Sequence, residues 1–214
     1  MNIYSDIKYI YIKIKRTIER YRGLYGISIR HRGGVRCDVY NKGENNSFSS
    51  GDKCNIDNLN IKITGSDNCI SIGNNVRIRE KCTISIIGDN CKVIVEDNTT
   101  MTSHVHLECN GDRQSISIGT DCMFSNHVHI RTDDSHPIYV KNTDKRINEP
   151  KAVNIGNHVW LAAGVVVLKG VNIGAGSIVG TRSVVTHDVP ENSLVVGVPA
   201  KIVKSNVEWT RKIK

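Results

Sequence analysis

Large aromatic surface is scarce in this chain: two Phe and two Trp stand among 214 residues. Proteins that hold single-stranded nucleic acid stack bases on aromatic side chains. The shortage therefore argues against a nucleic-acid partner, despite a formal net charge of +8. No run of about 18 apolar residues occurs, so no transmembrane helix is expected. The segment from Met1 to Tyr21 interleaves apolar residues with charges and lacks the apolar block of a signal peptide. A cytoplasmic protein is the expectation. The seven cysteines are odd in number and form no CxxC pair, which speaks against a disulfide framework or a cysteine metal site. They read as small buried hydrophobes in a reducing compartment.

What the chain does have is a period. Aliphatic residues recur every six positions at Ile155, Leu161, Val167, Ile173, Val179 and Val185. Four residues after each comes a second small or branched residue: Val159, Val165, Val171, Ser177, Ser183 and Val189. Six fits neither one helix face nor strand alternation. It fits a chain turning a corner every six residues, three times per coil, which is a parallel β-helix of hexapeptides. Upstream, the anchors Ile72, Val95 and Ile118 sit 23 residues apart, five more than an 18-residue coil. The extra residues are expected to bulge near Gly88-Asp89 and Asn110-Gly111-Asp112. From Ile118 to Ile155 is 37 residues, one coil plus 19. A long loop, roughly 131–150, therefore leaves the scaffold, and such loops commonly carry function.

The expected organisation is a helix in 1–26, a β-helix domain over 27–204 and a tail over 205–214. Ile3, Ile7, Ile10, Ile14, Ile18 and Tyr21 form the apolar stripe of an amphipathic helix, with Lys and Arg on its other face. That helix either caps one end of the solenoid or attaches peripherally to a membrane surface. The segment 190–204 is expected to fold back over the last coil, and 205–214 to be a short basic helix or a frayed tail. Lys and Arg are dense over 8–36 and after 200, a charge that steers anionic substrates or favours acidic membranes.

Four stretches are more specific: Ile155-Gly-Asn-His-Val-Trp-Leu161, Val171-Asn-Ile-Gly-Ala-Gly-Ser177, Val184-Val-Thr-His-Asp-Val-Pro190 and Val196-Gly-Val-Pro-Ala-Lys-Ile202. Together they resemble the hexapeptide-repeat acyltransferases. The resemblance covers about 65–204. It implies an all-β, left-handed parallel β-helix that uses acetyl-CoA and assembles as a homotrimer, with each active site between two subunits. The phrases Asp133-Asp-Ser-His-Pro-Ile-Tyr139 and Lys145-Arg-Ile-Asn-Glu-Pro150 resemble the branch that O-acetylates bacterial capsule, lipopolysaccharide or polysialic acid. Handedness and trimerisation come from the resemblance, not from the period.

On that resemblance His136 is the catalytic base, since imidazole titrates near working pH. Trp160, 24 residues later, supports activity by packing on the pantetheine arm or the acceptor sugar, or else fills a subunit interface. Asp134 either orients the imidazole, as a triad carboxylate does, or is a solvated loop acid. The backbone at Ala162 or Ala163 is a candidate oxyanion donor. Coenzyme A maps onto Ala163, Thr181, Thr186, His187 and Lys201. Ala163 and Thr181 are 18 apart and should stack on successive coils. Lys201 offers a point charge for phosphates or is merely a basic edge. His187 stands where this family often has a lysine, which weakens the phosphate contact there.

His104-Val-His106 and His127-Val-His129 also repeat at 23 residues, so their rings should point outward and stack on adjacent coils. Stacked histidines suit a metal, but the spacing does not match that of β-helical zinc lyases and no metal is expected. An acceptor cleft or a trimer surface are the other readings. The leading expectation is an acetyl-CoA-dependent O-acetyltransferase acting on a surface sugar or polysaccharide, an anionic one such as sialic acid fitting the charge. Serine or amino-sugar acetylation, a zinc lyase and a non-catalytic scaffold are the alternatives.

Overall fold

The computed structural model describes residues 27–30 and 33–213. The helix expected within 1–26 lies outside the described residues. Among the described residues every regular element is a strand, and no helix is long and apolar enough to cross a membrane.

The chain winds as a three-faced solenoid of stacked coils. The first face is a parallel sheet holding strands Asn46–Ser50, Cys69–Ile72, Lys92–Val95, Ser115–Ile118, Val153–Ile155 and Asn172–Ile173. Ile72, Val95, Ile118, Ile155 and Ile173 pair in one register along it, as the spacing arithmetic requires. The second face carries Arg77–Ile78, Thr100–Met101, Met123–Phe124, Trp160–Leu161 and Ile178–Val179. The third carries Thr83–Ile87, His106–Asn110, His129–Arg131, Val166–Val167 and Val184–Val185. Strand Cys54–Thr64 bends across a corner and joins the second and third faces into one sheet.

Both residues of each hexapeptide pair point inward. Leu161, Val165, Val167, Val171 and Val179 are essentially inaccessible, so each corner seals a narrow aliphatic prism. The extra five residues of the 23-residue coils do not all bulge. Part of them lengthens the third-face strands, five residues in Thr83–Ile87 against two in Val166–Val167; the rest widens the turns after Ile87 and Asn110.

The corners explain the Asn-rich sequence. Many turn through a residue with φ near +55°, among them Asn75, Asn98 and Asp121 at one corner and Asn45, Asp67 and Asn90 at another. Asn and Asp tolerate this left-handed conformation better than other L-residues. Buried Asn46 and Asn68 also bridge coils, donating from Nδ2 to Gly65 O (2.8 Å) and Gly88 O (2.9 Å). Backbone polar groups freed by turning are thereby satisfied.

The C-terminal part differs from expectation. Strand Ser193–Gly197 continues the second face in parallel, and Ala200–Ser205 returns antiparallel to it. Residues 206–213 form neither a helix nor a frayed tail. Trp209 is 6% exposed, stacks on the His158 ring at 4.0 Å, and donates from Nε1 to His158 O at 2.8 Å. Arg211 donates to Asp121 Oδ1 (2.8 Å), Thr100 Oγ1 (3.0 Å) and Cys122 O (2.9 Å).

Candidate active site

The long loop leaves the third face after His129–Arg131 and rejoins the first at Val153–Ile155. Lys151 N donates to Thr132 O at 2.8 Å and closes its neck. Farther out it is a small hairpin: Ile147 N donates to Ile138 O and Val140 N to Lys145 O, both at 2.9 Å. His136 stands exposed at the base of this hairpin, and its ring nitrogens meet no partner among the described residues. An imidazole so placed is open to an incoming hydroxyl.

Asp134 does not hold that ring. Its carboxylate receives Lys169 Nζ and Asn148 Nδ2, the latter at 2.9 Å. The Lys169 ammonium is the main reason its carboxyl sits below the ordinary 3.8, so Asp134 is an anion at neutral pH.

Trp160 projects from the second face, half-buried, with its ring centroid 6.1 Å from that of Trp209. Its Nε1 is buried without a partner. The next corner carries Ala163 and, one coil on, Thr181. Arg182 N donates to Ala163 O at 2.8 Å, so the two positions stack. The N–H of Ala162 donates to Val179 O at 2.9 Å and is committed to the coil ladder, which leaves Ala163 as the oxyanion candidate of that pair. Lys201 is exposed and pairs with Val196, whose side chain abuts Gly180; it therefore lies near the Ala163–Thr181 column. Thr186 and His187 do not. They occupy the following corner, beyond the third face, where Thr186 Oγ1 and His187 Nδ1 are 2.8 Å apart.

The histidine pairs flank the same column. His104 and His127 stack at 4.5 Å at the corner, one coil below Gly164, with Val105 and Val128 buried beneath. His106 and His129 lie on the third face in edge contact at 6.0 Å, and Glu108 Oε2 is 3.0 Å from His129 Nε2. Burial and the neighbouring histidines hold His106 below its usual 6.5, against the pull of Glu108. Among the described residues no group of three or more His, Cys, Asp or Glu is arranged to hold a metal ion.

No family model matches the chain. Over 173 residues, 80% of this chain and 78% of the relative, it is 37% identical to a polysialic acid O-acetyltransferase of Neisseria meningitidis. The chain belongs to this O-acetyltransferase family. Among solved structures, the polysialic acid O-acetyltransferase OatWY superposes with a TM-score of 0.78 at 33% identity, covering 88% of this chain and 90% of that one. The polySia-specific acetyltransferase NeuO does so at 0.57 and 26%, covering 88% and 91%. The acyltransferase fold and class rest on these likenesses together with the coil geometry.

Within this O-acetyltransferase, three residues that no sequence pattern singled out lie against the candidate residues: Asn148, Lys169 and Trp209. Asn148 lies within Lys145-Arg-Ile-Asn-Glu-Pro150 and is 7% exposed. Lys169 is 35 residues from the carboxylate it meets, and Trp209 is 51 from His158; no local pattern announces either. The site is also split. The loop bearing His136 is rooted at one edge of the third face and the Ala163–Thr181 column at the other. A face of five or six extended residues at about 3.3 Å each is roughly 15–20 Å wide.

Proposed function

We propose that this enzyme moves an acetyl group from acetyl-CoA to a hydroxyl of an anionic bacterial surface polysaccharide, sialic acid polymers being the acceptor class that the relatives' names point to. The observation that carries the reading is the exposed imidazole of His136, without a partner among the described residues, on a loop whose base is pinned. Acetyl-CoA supplies an activated acyl carbon as a thioester. His136 takes the proton from the acceptor hydroxyl, because an alcohol is a poor nucleophile at neutral pH. The new alkoxide-like oxygen bonds to the acyl carbon, the carbon–sulfur bond breaks, and the imidazolium returns its proton to the leaving thiolate. No covalent bond to the enzyme forms. Small Ala163 and Thr181 leave room for an extended arm along their corner, and Lys201 offers a charge for phosphate. Thr186 and His187 face a different corner, so on this reading they serve a donor bound from a neighbouring copy.

The split site favours a homotrimer in which one copy's His136 meets the next copy's Ala163–Thr181 column. Two apolar patches support such contacts: Ile138, Tyr139, Val140 and Ile147 on the loop hairpin, and Val196, Val198, Ile202 and Val203 on the C-terminal one, are all exposed. Apolar clusters of this kind mark interfaces. Left-handed winding, as the hexapeptide resemblance implies, belongs to the same reading, as do a cytoplasmic site of action and peripheral membrane contact through the N-terminal segment.

The test is a panel of anionic and neutral bacterial polysaccharides with acetyl-CoA, together with the mass in solution. Acetylation of a sialic acid polymer by a species of three chains supports the reading. Acetylation of neutral glycans alone removes the anionic acceptor, and full activity in a monomer removes the shared site.

A further inference from the structure

One side-chain amide grips the backbone on both sides of His136. Asn148 Nδ2 donates to His136 O at 2.8 Å, and Asn148 Oδ1 accepts from Ile138 N at 2.6 Å. Between them lies Pro137, which has no N–H and a fixed φ. The tripeptide His136-Pro137-Ile138 is thus clamped at its first carbonyl and its last amide. The amide's remaining capacity is also used: Nδ2 donates to Asp134 Oδ2 at 2.9 Å, and Oδ1 accepts from Arg146 Nε at 3.3 Å. With two donors and two lone pairs engaged, Asn148 has one satisfied orientation. Asp134 is braced in turn by Lys169, which comes from the corner after Val166–Val167 and so from the rigid coil rather than the loop. Asp134 also stays close to His136 through the bond from His136 N to Asp134 O at 2.8 Å.

We propose that Asn148 is the positioning residue that fixes where His136 stands, and that Lys169 through Asp134 ties this clamp to the coil. The proposal rests on His136 being the base. Among the described residues the imidazole has no hydrogen bond to orient it, so its placement depends on the backbone from which it hangs. Displacing a catalytic group by about 1 Å can cost on the order of 10²-fold.

The experiment is a double-mutant cycle on the full chain, read as acetyl transfer to a sialic acid polymer with kcat and KM for acetyl-CoA separated. Asn148→Ala should lower kcat by about 10- to 100-fold and leave KM for acetyl-CoA within about twofold. In the His136→Ala background the same change should cost nothing further, because a residue acting only through His136 has nothing left to position. Lys169→Met should lower kcat in the same direction and Lys169→Arg should restore most of it; this pair also serves if Asn148→Ala fails to fold. Unchanged kcat in Asn148→Ala, in an enzyme that His136→Ala disables, overturns the proposal and leaves the base assignment standing. An equal loss in both backgrounds shows a structural role and overturns it too. Full activity in His136→Ala removes the base assignment, and the proposal with it.

Discussion

Replacing Trp209 with alanine isolates the contact that seats the C-terminal segment. The indole is 6% exposed, lies flat on His158 with 6° between planes, and donates to His158 O at 2.8 Å. Both His158 ring nitrogens are engaged, one with Asp121 Oδ2 at 2.7 Å and one with Trp209 O at 3.0 Å. Truncating a buried Trp costs about 3–5 kcal/mol where the surroundings cannot collapse. About 3 kcal/mol is roughly two decades in an opening equilibrium. Cleavage follows the open population when opening and closing are fast, so trypsin should cut after Arg211 about 10²-fold faster in Trp209→Ala than in the wild type. The melting of the coils should stay where it was. Trp160 should become more accessible, visible as a red shift in the emission left after Trp209 is gone. Equal cleavage rates in the two proteins would refute the docked segment.

Three further outcomes follow from the packing. A Cβ on Gly119 would lie 2.8 Å from Asn157 N on the next coil; Gly119→Ala should cost about 1–3 kcal/mol and lower Tm by roughly 2–10 °C, and an unchanged Tm contradicts the coil contact. Five of the seven cysteines, Cys54, Cys82, Cys91, Cys109 and Cys122, are buried, and burial pushes the Cys122 thiol up to about 11. A thiol reagent should therefore modify at most Cys37 and Cys69 rapidly in the native protein and all seven after denaturation; five or more fast thiols would falsify the buried core. Burial opposes the charge on Asp121, but hydrogen bonds from His158 and Arg211 outweigh it and hold its pKa below 3.8. Its folded value is depressed, so its stabilisation of the segment is present above 3.8 and lost as pH falls through the lower folded value. The segment should therefore stay docked down to about pH 4, read as hydrogen-exchange protection of the backbone after Ser205, and loss of that protection already above pH 5 would contradict the Asp121 contacts.

What could be read from the sequence was whatever repeats. Ile155 to Val185 announce the coils because a 6-residue spacing has one structural meaning, and Ile72, Val95 and Ile118 locate the wider coils by the same logic. The long strands Gly33–Lys42 and Cys54–Thr64 escaped, since their coils run 19 and 22 residues in the pairings Ile27 with Asn46 and Ser47 with Cys69 and show no hexapeptide. The loop was legible as an interruption of the period, and His136 within it through the family resemblance. The Asn148 clamp was not, because a side-chain amide bonding backbone ten and twelve residues away leaves no pattern. Asp134 read either as a carboxylate orienting the imidazole or as a solvated loop acid; Lys169, invisible at 35 residues' remove, is the cation it meets. The docked segment after Ser205 was missed because a lone Trp in a basic stretch carries no periodic signal.

Thiol release from acetyl-CoA in the presence of a sialic acid polymer, for the wild type and His136→Ala side by side, tests the central claim most directly. The account predicts polymer-dependent release that falls by about 10²- to 10⁴-fold in the variant, with the assembly intact. Release at the wild-type rate in His136→Ala would contradict it.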